Sequence, residues 1–360
     1  MTDFDAIVVG SGAGGLSAAL RLAQQNVSVL VLEAMPAFGG FISPFVRNGY
    51  RFDTGVHYLG KLGHGGTFRL LLELLELDDQ LDFVELDPDG FDRYVFPDFE
   101  LRLCKGKQRY HERLQRLFPH ESRAISRYFN LIDPGMIPRP TKKKVAGLQP
   151  SGGSFYAFIG TRMDPAVAGL TDANIIHFEH TDVNRTFAAV ADRQASDPFP
   201  YYFITSPSLK DPGHRYAPDS CHTLEIISGL GYDHPFTPWS GTQSRRRGED
   251  YSRLKKQIGM SLVRSAERYI PDLGSNLDFV EFATPLSNEY WVNSVSGGNF
   301  GPEQTPAQFG PGRFFDCTAG IEGFFVVGAG AISAGVLSCI ASGVWAANQA
   351  VEFLEGNIER

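Results

Sequence analysis

Gly10-Ser11-Gly12-Ala13-Gly14-Gly15 constrains this chain more than any other stretch. An apolar run, Asp5 to Val9, leads into it, and a helical pattern, Leu16 to Gln24, leads out. A second β-branched run follows from Val27 to Leu32. The spacing predicts a strand-helix-strand unit in which a G-x-G-x-x-G turn opens the helix, the context in which that motif binds a dinucleotide. Gly10 permits the tight turn, Gly12 lets backbone approach a pyrophosphate and Gly15 allows close helix-strand packing, while the free N–H groups of the helix start face the phosphates. An acidic residue should follow about 20 residues on to hold ribose hydroxyls. Glu33, followed by Ala34, stands there at the end of the second strand. The same fingerprint serves FAD and NAD, so the motif alone leaves the cofactor open.

Composition removes other classes. With 42% hydrophobic residues in 360 there is material for one large or two smaller cores. A net charge of −8 argues against a nucleic-acid surface. Arg245, Arg246 and Arg247 with Lys255 and Lys256 are expected to form a solvated loop and helix start. Four cysteines far apart suggest neither a zinc site nor a disulfide framework, which fits a cytoplasmic protein without an export signal. Ala334 to Val351 is apolar but broken by Ser338, Ser342, Asn348 and Gln349, so it reads as a buried helix and not a bilayer span; contact with a membrane surface is left open.

Helical spacing is expected from Phe68 to Leu77, Arg109 to Leu131, Glu249 to Tyr269 and Val336 to Leu354. Short aromatic or β-branched runs at 154–159, 174–179, 201–205 and 223–227 suggest an antiparallel sheet, and 324–327 a last buried strand. The Pro- and Lys-rich stretch 138–153 marks an organisational boundary. The chain is divided into an ADP-binding segment (1–60), a helical substrate-side segment with linker (61–150), a sheet-and-helix substrate region (151–285) and a C-terminal cofactor segment (286–360).

Gly39-Gly40, a short turn after Glu33, resembles the extended motif of FAD-binding amine-oxidase-like and carotenoid-desaturase-like flavoproteins. Phe324 to Gly330, with Gly335-Val336 opening a helix, is similar to the C-terminal flavin segment of the same families, which implies that Gly328, Gly330, Gly335 and Val336 lie at the flavin. Phe52-Asp53-Thr54-Gly55-Val56-His57-Tyr58 resembles the retinol saturase branch of the phytoene desaturase and carotenoid isomerase superfamily. The resemblance runs from Asp5 to about Leu131 and from about Ser154 to Ala350, including Pro207 to Pro212 and Thr284 to Asn288. Members of that family are longer, and the block expected between Leu131 and Ser154 is missing.

The resemblance implies an α/β fold, a Rossmann-like doubly wound sheet with a second antiparallel-sheet-plus-helix region. It further implies bound FAD, with Gly10, Gly12, Ala13, Gly14, Gly15, Glu33, Ala34, Gly39 and Gly40 at its ADP half. The reaction implied is saturation, desaturation or redox-assisted isomerisation of carbon–carbon double bonds in a hydrophobic polyene, with an electron partner the sequence does not name. His57 and Tyr58 are the expected proton donors or orienters beside the ring. Tyr290 and Trp291, with Phe300, could line an apolar pocket, but aromatics at this density are expected to be core. His177, Glu179, His180 and Asp182 could suggest a metal, but on a strand positions three apart face opposite ways, so none is expected. No G-x-S-x-G context supports a hydrolase. Two rivals stand beside the flavoenzyme: a nicotinamide dehydrogenase on the same fingerprint, and a non-catalytic lipid- or prenyl-binding relative that keeps the fold.

Overall fold

The computed structural model describes residues 3–131, 148–192, 194–231, 235–242, 246–308, 312–318 and 322–358. Lys142 to Ala146 and Arg245 lie outside them.

Strand β1 (Ala6–Val9) pairs in parallel with β2 (Val29–Leu32), and helix α1 (Ala13–Gln24) crosses between them. The C-terminal helix Val336–Ile358 packs along α1 through small residues. Ser17 Oγ donates to the Ile340 carbonyl at 3.2 Å, and Arg21 Nε to Asn348 Oδ1 at 3.1 Å. A side chain at Gly343 would collide with Ser17 and the Gly14 carbonyl, so the two backbones run as close as glycine allows. Chain ends more than 300 residues apart are thereby joined beside the nucleotide turn.

Phe324 to Val327, expected as a buried strand, is not regular strand: Phe324 is 52% exposed, and Phe325 forms a single bridge to Thr318. Among the described residues the sheet of the nucleotide unit is β1 and β2 alone, with no third strand beside them.

A seven-stranded sheet forms the second body, in the order β11 (Leu277–Ala283), β7 (Gly153–Thr161), β10 (His222–Gly231), β9 (Tyr201–Thr205), β8 (Asn174–Phe178), β5 (Asp92–Val95) and β6 (Glu100–Leu103). Its pairs are antiparallel except β5 with β8, which run parallel. β5 and β6 therefore belong to the same sheet as strands far beyond the Pro/Lys-rich stretch.

Alternation along β7 assigns the two faces. Phe155, Ala157 and Ile159 point to the helix Gly248–Ala266, where Ile258, Leu262 and Val263 are fully buried with Leu224, Ile226 and Ile204. Gly259 has no room for a side chain because Phe282 lies against it. Tyr156 and Phe158 point the other way, onto the hairpin β3 (Phe45–Arg47) and β4 (Tyr50–Phe52), whose Tyr50 ring covers Gly160. The hairpin turns at Asn48-Gly49, both with positive φ, as a two-residue turn of twisted strands demands.

The expected helix from Arg109 to Leu131 is two helices, Lys107–Leu117 and Ser122–Leu131, because Pro119 cannot supply the N–H that a continuous helix needs. No helix among the described residues is long and apolar enough to cross a membrane.

Candidate functional site

Three glycine segments remote in sequence meet at one end of a cleft of about 1740 Å³. Gly12 bridges to Gly39, whose N–H donates to the Ser11 carbonyl at 3.0 Å. A Cβ on Gly14 would come within 2.6 Å of Gly328 N, so the first and last segments touch backbone to backbone. At Gly12, Gly328 and Gly335, by contrast, an added Cβ would meet no protein atom. These positions face the open cleft, a cradle that any side chain would fill. Gly15 faces inward, its Cβ position blocked by the Gly10 carbonyl; its glycine serves packing.

Glu33 fixes this end. Its carboxylate accepts hydrogen bonds from Ser11 Oγ (2.5 Å), Ser11 N (2.8 Å) and Met35 N (2.9 Å). The Ser11 hydroxyl first, then the Met35 and Ser11 amides, hold its carboxyl below the usual range, so it is an anion at neutral pH.

Of the expected site residues, Gly10, Gly12, Ala13, Gly14, Gly15, Glu33, Ala34, Gly39, Gly40, His57, Tyr58, Gly328, Gly335 and Val336 line the cleft. Gly330 does not. Its turn is held by Arg313, which sequence reasoning missed: fully buried, it donates to the carbonyls of Gln308 (2.8 Å), Pro302 (2.8 Å) and Ala329.

The rest of the cleft is floored by the sheet face that turns away from the main core. Tyr156 and Phe158 from β7, Tyr201 and Phe203 from β9 and Ile227 from β10 line it. Trp291 and Phe300 line it too and are 51% and 54% exposed, so they are wall residues and not core; Tyr290 stays outside it. Thr284 caps the helix Pro285–Val292 that carries Trp291, in a reciprocal bond with Ser287. Arg247, expected in a solvated loop, is buried: it donates to Tyr251 Oη at 3.2 Å and the Leu286 carbonyl at 3.1 Å, and it reaches the cleft wall.

His57 and Tyr58 stand over a buried polar network. His57 Nδ1 lies 2.9 Å from Glu225 Oε2, on a glutamate with no exposed side-chain surface. Asp53 N donates to the other oxygen at 3.1 Å. Burial first, then the neighbouring Glu225 charge, raises the Asp53 carboxyl. Tyr58 Oη donates to Asp92 Oδ2 at 2.9 Å, and Asn174 Nδ2 donates to Asp92 Oδ1 at 2.6 Å. Lys210 closes the network from beneath. These partners were invisible in sequence, since 34 to 172 residues separate the bonded pairs that reach back to Asp53 and Tyr58. His177 donates or accepts with Tyr269 and Glu179, and no group of metal-ligating side chains occurs among the described residues.

A glycine-lined cleft between a Rossmann-like unit and a large mixed sheet is built for a dinucleotide, and FAD is the cofactor the site takes. Residues 8–74 match the NAD(P)-binding Rossmann-like domain family. In sequence the chain is 38% identical over 133 residues to the all-trans-retinol 13,14-reductase of Danio rerio, a stretch covering 36% of this chain and 22% of that protein. It is 34% identical over 128 residues to prolycopene isomerase 2 of an Oncidium hybrid cultivar, again 36% of this chain and 22% of the relative. The matched stretch thus takes up about a fifth of each relative's length. The structure superposes on the cyclohexylamine oxidase of Brevibacterium oxydans with a TM-score of 0.55 at 14% identity, over the full length of both chains, which establishes the fold.

Proposed function

We propose that the protein is an FAD-dependent oxidoreductase acting on carbon–carbon double bonds of a hydrophobic polyene, such as a retinoid, a carotenoid or another isoprenoid. One observation carries the reading: the three glycine segments converge at one end of a cleft whose remaining floor is an aromatic sheet face. A polar dinucleotide fits the first part and an extended apolar chain the second.

The amides at the start of α1, around Gly12 and Ala13, would hold the pyrophosphate, and Glu33 and Ala34 the ribose. Gly39 and Gly40 would flank the chain between the two halves. Gly328, Gly335 and Val336 would face the flavin, where the N-terminus of the C-terminal helix favours negative charge. Bound FAD supplies hydride transfer. What the chain's own residues supply is the exclusion of water by Tyr156, Phe158, Phe203 and Trp291 and a proton donor or acceptor from the His57–Tyr58 pair.

Protein purified and supplied with FAD should turn yellow, and after anaerobic reduction its flavin should be reoxidised by members of a panel of retinoids and carotenoids and not by amines. A yellow protein that no polyene reoxidises would sink the substrate class. A colourless one that takes up no FAD would leave the lipid-binding reading standing.

A further inference from the structure

Lys210 is buried, and its ammonium has three acceptors: Asn174 Oδ1, Thr205 Oγ1 at 2.7 Å and the His57 carbonyl at 3.1 Å. Three donors and three acceptors match, so the charged form is fully satisfied. From Asn174 the bonds run on through Asp92 to the Tyr58 hydroxyl, and the ammonium also sits 5.4 Å from the centre of the Tyr58 ring. One buried amine therefore holds both cleft-facing residues, His57 by its backbone and Tyr58 by its hydroxyl.

The two residues are held differently. The Tyr58 proton is donated inward to Asp92 while 44% of the residue stays exposed, so the cleft meets its ring. His57 Nδ1 and Glu225 Oε2 are buried and face each other, with no other hydrogen-bond partner for either atom among the described residues. As a hydrogen bond with Glu225 as the acceptor, this contact has Nδ1–H donating and leaves Nε2 to act.

We propose that Lys210 is the positioning residue of this cleft: it fixes the Tyr58 hydroxyl inward through Asn174 and Asp92 and anchors the His57 backbone, so that His57, seated on Glu225, is the proton-transfer group and Tyr58 is not. The proposal rests on the oxidoreductase reading for what the proton is used for, but its geometry is independent of that reading. It splits a pair of residues that sequence alone put in one role. Burial pushes the Lys210 ammonium down to about 8, against the opposing pull of Asp92, Glu225, Asp172 and Asp53. The amine is thus held by its bonds and not by a favourable medium.

The test is nitrogen-15 NMR of the histidine rings, with the His57 signals assigned by their loss in His57→Gln, on full-length protein with and without added FAD. Wild type should show neutral His57 as the tautomer protonated at Nδ1 with Nε2 bare. Lys210→Met should lose that pattern to the solution tautomer mixture, Lys210→Arg should restore it, and Tyr58→Phe should leave it unchanged. An unchanged His57 pattern in folded Lys210→Met, or its loss in Tyr58→Phe, would overturn the proposal. Should Lys210→Met not fold, carbon-13 labelling of lysine Cε in wild type decides: one resonance, absent from Lys210→Arg, should titrate roughly two pH units below the other lysines, and its absence refutes the buried amine. FAD uptake in the same samples reads the functional proposal separately, since wild type that shows the His57 pattern but binds no FAD would fail only the latter.

Discussion

At the scale of single residues, Glu33 and Lys210 show how environment sets chemistry. Glu33 is held as an anion by the Ser11 hydroxyl and two further amides, which leaves an acceptor at the end of β2. Replacing it by Ala should weaken FAD binding by about 1.5 to 3 kcal/mol if both ribose bonds are charge-assisted, measured by equilibrium titration; Glu33→Gln should recover part of this by keeping Ser11 in place. Unchanged affinity in Glu33→Ala would remove the residue from the site. Lys210 makes the opposite case. Its folded value, about 8, lies below the ordinary lysine value of 10.5, so between those limits the unfolded chain binds more protons. Stability should therefore rise with pH across that window, by up to about 3 kcal/mol from this group. Denaturant melts of wild type and Lys210→Met at pH 7.5 and 10 isolate the effect by difference; equal pH slopes in the two proteins would refute it.

Among elements, the decisive contact is between α1 and the C-terminal helix. Because Gly343 has no room for a side chain, Gly343→Ala should push the helices apart, cost on the order of 1–3 kcal/mol and loosen FAD, since Gly14 and Gly328 touch beside the same contact. Normal stability and affinity in that variant would show the approach to be slack. In the sheet-side core, Leu262→Ala should cost about 2–5 kcal/mol by leaving a cavity while FAD affinity in the folded protein stays within about twofold, because Leu262 lies on the far side of the sheet from the cleft. Much of this scale was legible in the sequence. The fingerprint fixed β1, α1 and β2 through local patterns, and Tyr201 to Thr205 is a strand with the bounds its β-branched and aromatic run suggests. What failed depended on context. Phe324 to Val327 has a strand's composition, but among the described residues only Thr318 bridges to it. Pro119 splits a helix whose periodicity continues across it. The Asn48-Gly49 turn and the alternation of Leu277 to Ala283 were present as local signals and went unread.

The whole molecule brings together what the chain keeps apart. The glycine segments could be recognised separately because each must leave backbone bare for a ligand. Their meeting is a property of packing, as is the network of Asp92, Asn174, Lys210 and Glu225, whose members carry no local signature and were found only once β5, β8 and β10 stood in one sheet. The account stands on the claim that both chain ends hold one FAD. Its most direct test is a titration of wild type, Gly12→Val and Val336→Glu with FAD, followed by the visible absorbance of the bound flavin. A Cβ at 12 would meet no protein atom, and a carboxylate at 336 suits a helix N-terminus, so both substitutions are expected to spare the fold. Wild type should bind one FAD per chain, and each substitution, 324 residues apart in sequence, should abolish binding; retention of normal FAD affinity by either variant would contradict the account.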